Sequence, residues 1–294
     1  MTSVAVIAHR QKRLGAGLPR LRERLAEEGI TDPIWFEVPK SRKVPARVRE
    51  ALGLGADLIF IWGGDGSVQR CIDTVVGTSA TVAILPAGTA NLLANNLGIP
   101  IDLEQAVRVG LAGRDRVLDT GRINGEHFAV MGGVGLDSLM IRDTDSGLKD
   151  RLGKAAYIWT GARHVRRAPT KTTVKIDGHT WFTGKASCVL VANVGSIAGG
   201  VTAFDHADPE DGLLDVAVVT ANGAWQWARA LTRATVGHAE RSPLVNMTQA
   251  HSIKIVTKEP LPYELDGGAR PKTKTLRIKV VPNAITVRVP ANAH

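Results

Sequence analysis

Ile59-Phe60-Ile61-Trp62-Gly63-Gly64-Asp65-Gly66-Ser67 is the stretch on which the reading of this chain turns. The run Asp57 to Trp62, apolar from Leu58 onward, predicts a buried strand, and three glycines around one carboxylate separate it from a helix predicted over Ser67 to Val76. A strand, a tight loop and a helix N-terminus in that order make a site for an anion. Glycine lets backbone come close to a ligand, and the unbonded N–H groups and dipole of the helix favour negative charge. A lone carboxylate in such a loop would repel a bare phosphate, so Asp65 implies a bound cation or a proton to be handled. The plainer alternative is a strand-to-helix turn whose glycines serve packing alone.

Upstream of the glycines the pattern is strand, helix, strand, helix, strand. Val4 to Ala8 and Ile34 to Val38 read as strands, Leu18 to Glu28 as a helix with Leu18, Leu21 and Leu25 on one face, and Ala46 to Leu54 as a second helix. Alternation with short connections predicts a parallel sheet covered by helices, with ligands at the carboxyl ends of the strands. The pattern repeats downstream: Thr81 to Leu85 as a strand, Pro86-Ala87-Gly88-Thr89-Ala90-Asn91 as a loop, Leu92 to Leu97 as the start of a helix, and Asp102 to Gly113 as another. Two loops at one sheet edge could close on one ligand. Thr89 and Asn91 each suit a helix cap or a phosphate contact.

Beyond Asp119-Arg122 the periodicity changes to that of strands. Val117 to Ile123 and His127 to Val134 predict a hairpin around Asn124-Gly125, followed by Lys171 to Ile176 with an Asp177-Gly178 turn, Lys185 to Val194, Leu213 to Val219, Ser252 to Thr257, Thr275 to Val281 and Ile285 to Val289. The expected organisation is an α/β domain over 1–121 and a mainly antiparallel domain over 122–294, whose last strand returns towards the first, with a site in the cleft between them. Leu148 to Arg167 reads as an amphipathic basic helix, either with a solvated basic face or in contact with a membrane surface. Ala224 to His238 reads as a core-packing helix.

The 294 residues suffice for two domains with ample core, and no apolar run reaches the length of a membrane span. Thr2 to Ala8 precedes its positive charges, the reverse of a signal peptide, so a soluble cytoplasmic protein is expected. Cys71 and Cys188 lack any CxxC or histidine pattern, which argues against zinc and disulfides. The formal charge of +9 implies attraction to a polyanion. Phe and Tyr are few, and no aromatic-basic signature appears, so no nucleic-acid partner is expected. With neither a span nor a lipidation motif, membrane association would be electrostatic and peripheral, at the inner membrane face.

Taken together, these residues resemble the diacylglycerol kinase catalytic-domain superfamily, the soluble bacterial lipid kinases together with the sphingosine and ceramide kinases. Six motifs occur in the family's order: Gly63-Gly64-Asp65-Gly66-Ser67; Pro86 to Asn91 with Leu97-Gly98-Ile99-Pro100; Asp119-Thr120-Gly121; Gly133-Val134-Gly135-Leu136-Asp137; Asp211-Gly212-Leu213-Leu214-Asp215; and Glu264-Leu265-Asp266-Gly267. The resemblance implies a phosphofructokinase-like α/β nucleotide domain, a C-terminal β-sandwich that receives the lipid, and transfer of the ATP γ-phosphoryl group to a lipid hydroxyl, diacylglycerol foremost. It implies that Arg10, Gly63, Gly64, Asp65, Gly66, Ser67, Gly88, Thr89 and Asn91 contact the nucleotide, that Asp65 and Asp119 hold Mg²⁺, and that Asp266 is the catalytic base alongside Asp65. Asp208, Asp211 and Leu213 would hold a structural cation, although a solvated acidic loop fits the same residues. The expected partners are a lipid substrate and an anionic membrane surface, with homodimer formation left open.

Three positions depart from the family. His9-Arg10 stands in place of Asn-Pro after the first strand, Leu92 in place of an aspartate, and Gly268 in place of the glutamate after Asp-Gly. These departures keep a second expectation alive, a nucleotide- or lipid-binding regulator with weak catalysis. An NAD kinase shares the Gly-Gly-Asp-Gly loop, but its second loop differs from Pro86 to Asn91.

Overall fold

Val4–His9 (β1), Ile34–Val38 (β2), Leu58–Gly63 (β3) and Thr81–Pro86 (β4) form a parallel sheet in the order β4-β3-β1-β2. In the computed structural model, residues 3–135, 168–197, 201–223, 225–227, 229–230 and 242–292 are described. The chain divides into two units, 1–119 with 282–294, and 120–281. The expected boundary after residue 121 lies beside the division at Asp119/Thr120.

In the first unit β3 is buried along its whole length, as a continuous apolar run between two helical layers requires. Leu18–Glu27 (α1), Val44–Gly53 (α2), Asp65–Val75 (α3), Leu92–Asn96 (α4) and Leu103–Ala112 (α5) supply the helices. Leu21 and Leu25 of α1 are fully buried, as their spacing predicts. Arg20 and Arg24 of α1 share Glu104 of α5, at 2.7 and 3.2 Å. Asp102 caps α5 by accepting the Gln105 N–H at 2.9 Å. The helix after the glycine loop starts at Asp65 rather than Ser67, so the carboxylate sits in the first turn.

The second unit is an antiparallel β-sandwich-type domain. Its strands are Arg114–Ile123 (β5, which enters from the first unit), Glu126–Phe128 (β6), Met131–Val134 (β7), Thr170–Ile176 (β8), His179–Ala186 (β9), Cys188–Ala192 (β10), Ser196–Ile197 (β11), Val201–Thr202 (β12), Leu214–Val219 (β13), Val245–Ala250 (β14), Ser252–Leu265 (β15) and Gly268–Val289 (β16). β14-β13-β10-β7-β15-β16 are neighbours in that order, while β11 and β12, among the described residues, pair with each other. Val134, Val174, Val189, Val216, Ile253 and Leu276 meet in one apolar core.

Three two-residue turns share one geometry. Asn124-Gly125, Asp177-Gly178 and Asp266-Gly267 all have positive φ at both positions, the turn that matches the twist of paired strands. Three strand expectations are corrected. His127 to Val134 is two strands: β6 stays with β5, whereas β7 pairs with β10 and β15. Lys185 to Val194 breaks at Ser187, whose N–H and hydroxyl both go to the Val219 carbonyl. Thr275 to Val281 and Ile285 to Val289 are one strand, β16, with Asn283 at φ 50. Its end returns to the first unit, where Thr286 and Val287 pair in parallel with Thr81 and Val82 of β4. The basic segment Leu148 to Arg167, Leu136-Asp137 and most of Ala224 to His238 lie outside the described residues.

Candidate active site

In the first unit the glycine loop and the second loop touch backbone to backbone. A Cβ on Gly88 would lie 2.4 Å from the Gly64 Cα and 2.6 Å from the Asn91 Oδ1, so neither strand end could approach the other with a side chain there. Gly63 is constrained as well, since its Cβ would sit 2.5 Å from that of the buried Ser67. Ala87 donates to the Gly63 carbonyl at 2.9 Å, which extends the β3–β4 pairing into the loops.

Asp65 fastens the two loops. Its Oδ2 accepts the Asn91 N–H at 3.1 Å and its Oδ1 the Leu92 N–H at 2.5 Å, so a side chain in the first turn of α3 satisfies the first amides of α4. Burial holds the Asp65 carboxyl above the usual aspartate range, against the pull of these amides and of the Lys12 charge. Leu92, the departure from the family's aspartate, contributes its amide to Asp65 and buries its side chain.

Asn91 is left-handed at φ 47 and its amide is spent inside its own loop. It accepts from Gly88 N–H at 2.8 Å and donates to the Pro86 and Gly88 carbonyls at 3.3 and 3.0 Å. It shapes the loop that leaves Thr89 exposed at its tip.

Gly66 is different from its neighbours. A Cβ there would meet only the Ser41 Oγ, at 3.9 Å, and its φ is not positive, so packing gives no reason for glycine. The missing side chain opens the first turn of α3 to an outside group. The helix dipole favours an anion such as a phosphate at this open turn, where the Ser67 and Val68 N–H groups already donate to the Gly64 carbonyl at 2.8 and 3.1 Å. The Asp65 carboxylate, whose oxygens accept the Asn91 and Leu92 amides, is of the hard-oxygen kind that suits Mg²⁺.

Two neighbours of the loop carried little signal in the sequence. Trp62, fully buried at the end of β3, donates its indole N–H to the Lys12 carbonyl at 3.1 Å. Lys12 thereby comes close enough to favour the Asp65 charge, and, after burial, it is the second cause that lowers the His9 pKa. Ser41 opens a short 3-10 turn over Ser41–Lys43, flanked by Lys40. Lys12 belongs to a visible basic run, but nothing in its spacing ties it to Asp65. Arg10 is exposed and pairs with Glu37 of β2 at 3.5 Å. Asp119 is buried and accepts the Asn283 N–H at 2.8 Å, pinning the returning end of β16.

Asp266 lies in the second unit, at φ 44 in the β15–β16 turn, and is buried. Its carboxylate accepts three backbone amides, Ala129 at 3.0 Å, Val130 at 3.0 Å and Met131 at 2.9 Å, while its own N–H donates to the Met131 carbonyl at 2.9 Å. These bonds hold the segment where β6 gives way to β7, which is why the expected single strand divides there. The position of the missing glutamate, Gly268, faces Arg270: a Cβ would lie 2.9 Å from its Nη1, and Arg270 forks onto Glu126 at 2.8 to 3.0 Å. A guanidinium occupies that space. Asp208 and Asp211 each cap a local turn, accepting the Glu210 and Leu213 amides at 3.1 and 2.8 Å. Among the described residues no group of three or more His, Cys, Asp or Glu is placed to hold a metal ion.

An α/β unit with an anion cradle, followed in the same chain by an antiparallel sandwich, defines the class of diacylglycerol-kinase-like and NAD-kinase-like folds. A Bacillus anthracis diacylglycerol kinase structure superposes with a TM-score of 0.76 at 23% identity, covering 98% of this chain and 96% of that one. Residues 6–123 match the diacylglycerol kinase catalytic domain and residues 131–289 the YegS C-terminal NAD kinase beta sandwich-like domain; the chain belongs to the lipid kinase family that these two domains define. It is 29% identical over 283 residues to a protein of Klebsiella pneumoniae named probable lipid kinase YegS-like, covering 94% of this chain and 93% of the relative. An uncharacterized Synechocystis protein is 29% identical over 280 residues, and the chain spans 61% of its length.

Proposed function

We propose that the chain transfers the γ-phosphoryl group of ATP to a lipid hydroxyl, with diacylglycerol as the foremost acceptor. The observation that carries this reading is the Gly66 cradle beside Asp65: a glycine that packing does not require, at a helix N-terminus, next to a carboxylate and within the influence of Lys12. Family membership supplies the rest of the chemistry. In this reading the first turn of α3 and Thr89 hold phosphate oxygens, Lys12 adds positive charge, and Asp65 and Asp119 are the carboxylates that would hold Mg²⁺. Mg²⁺, when bound, neutralises charge on the phosphate oxygens.

Asp266 is assigned the proton. The lipid O–H bond breaks towards its carboxylate, the lipid oxygen forms a bond to the γ-phosphorus, and the bond from that phosphorus to the bridging oxygen breaks, so that ADP leaves. Three main-chain amides donate to the Asp266 carboxylate and fix its orientation. Such a base orients the hydroxyl and receives its proton late, as the loose transition state of phosphoryl transfer allows. A cation on Asp208, Asp211 and Leu213, and peripheral residence on a cytoplasmic membrane face, belong to the same proposal.

The test is incubation of the purified protein with γ-labelled ATP, Mg²⁺ and separate mixed micelles of diacylglycerol, monoacylglycerol, a sphingoid base or a polyprenol, with NAD as a further acceptor. Label in phosphatidic acid above all other products is expected. Label in NADP, or in no lipid, overturns the reading.

A further inference from the structure

The second unit presents a sheet face whose charge the proposed chemistry leaves unused. Along β8, β15 and β16 the pattern alternates: Val174, Ile253, Ile255, Leu276 and Ile278 are buried, whereas Lys175, Lys254, Arg277 and Lys279 are exposed. The strand registers set Lys175 opposite Lys254 and Lys254 opposite Arg277, a row of three cations across three adjacent strands. One strand further, Lys171 stands opposite Lys185 on the same face. Directly opposed side chains of paired strands lie about 5 Å apart at Cβ, and like charges there are destabilising.

Among the described residues no ion pair offsets this cost. The described ion pairs of this unit join Arg270 to Glu126 and His251 to Asp177, and none involves these six cations. Asp177, at the end of the face, is engaged by the Ser252 N–H and hydroxyl at 2.7 and 3.1 Å. Beside Arg277 and Lys279 runs an open groove of about 520 Å³, lined also by Arg122, Asn124 and Gly125. Asn124 forms its wall by exchanging backbone and side-chain bonds with Arg277, both at 3.0 Å.

We propose that this face docks on an anionic phospholipid surface, the groove between Arg122, Arg277 and Lys279 taking a headgroup phosphate. An anionic surface removes the mutual repulsion of the opposed cations, which accounts for a charge row that folding alone disfavours. In the next row Thr173, Val256 and Thr275 stand opposite one another, so among the described residues these three strands set no aromatic beside the cations on which bases could stack, as single-stranded nucleic acid sites do. The choice of a bilayer over other polyanions rests on the lipid-kinase reading above.

The experiment is sedimentation of the full chain with vesicles of phosphatidylcholine alone or of phosphatidylcholine and phosphatidylglycerol in equal parts. Wild type should bind the anionic vesicles, and less so as salt rises. Lys175→Gln with Lys254→Gln should lower that affinity roughly thirtyfold, at about 1 kcal/mol per basic side chain near the surface, while Arg49→Gln with Arg108→Gln, an equal charge change in the first unit, should have a much smaller effect. The double variant on the face should also match or exceed the wild-type Tm, because a like-charge contact is relieved; a residue kept for folding would lower it. Equal binding by the two double variants, binding to neutral vesicles as strong as to anionic ones, or a loss confined to RNA binding would overturn the proposal. Turnover of diacylglycerol in neutral detergent micelles separates this from the kinase reading: it should be unchanged in the variant, whereas its absence in wild type with intact vesicle binding would defeat the kinase reading alone.

Discussion

Asp65 and Asp266 are both carboxylates enlisted by main-chain amides, and they differ in what else surrounds them. Burial raises the Asp65 pKa, so its ionisation opposes folding: that contribution to stability is complete below the unfolded aspartate pKa of about 4 and is lost as pH rises through the higher folded value. Asp65→Asn removes this titration. The urea midpoint of the wild type should therefore fall, relative to the variant, as pH rises from about 4 towards neutrality. Parallel pH dependences would show that Asp65 is not the buried charge described here. The same variant should fold and yet lack lipid phosphorylation, measured at saturating ATP and Mg²⁺, because an amide is a poor substitute for a cation-binding carboxylate. Asp266→Asn has a different signature. An amide has one acceptor oxygen and brings an NH₂ group against amide donors, so at least one buried N–H loses its partner and stability should drop by about 3 kcal/mol in urea melts. Turnover of the folded fraction should fall roughly a hundredfold or more if Asp266 is the base. A wild-type rate would remove it from that role.

At the scale of elements, the two loops and the hairpin turn give their glycines separate tasks. Gly88 is needed for contact between loops, and Gly66 is not needed for packing at all. Gly88→Ala forces its Cβ to 2.4 Å from backbone, so it should destabilise the first unit by at least 1–3 kcal/mol, the usual scale of overpacking, and weaken nucleotide binding with it. Gly66→Ala should leave the Tm unchanged or higher, since alanine is the better helix former, while the KM for ATP rises as the methyl group fills the cradle. Thermal melts and ATP titrations of both variants check this split. Equal loss of stability in the two would mean that Gly66 serves the fold. In the β15–β16 hairpin the Asp266-Gly267 turn does double service, since the backbone conformation that reverses the chain also aims the carboxylate at the amides of 129–131.

At the scale of the whole molecule, the first unit is completed by the last residues of the chain. Ile285, Val287 and Val289 are buried there, and β16 pairs with β4 through Thr286 and Val287. Burial of such side chains contributes ~1.5–3 kcal/mol each, against a total stability of ~5–15 kcal/mol for a domain. A chain ending at Val281 should therefore lose cooperative unfolding of the first unit, read as loss of protected amides in β3 and β4 by hydrogen exchange. Protection equal to that of the full chain would show that the returning strand is dispensable.

The local order of the chain was legible without the structure. Continuous apolar runs gave β3 and β4, the spacing of Leu21 and Leu25 gave α1, and the Asn124-Gly125 and Asp177-Gly178 pairs gave two turns, because each is set by neighbours in sequence. Motif order identified the family and the fold class for the same reason. What spacing could not convey was partnership across the chain. Only the folded backbone shows that Asp65 binds amides 26 and 27 residues away, that Trp62 places Lys12, and that Asp266 reaches back to 129–131 and divides a strand in two. The cation row is of the same kind: Lys175, Lys254 and Arg277 look like three scattered surface residues until antiparallel register sets them side by side. Register is fixed by which apolar faces bury together, a property of the assembled sheet that no single strand carries.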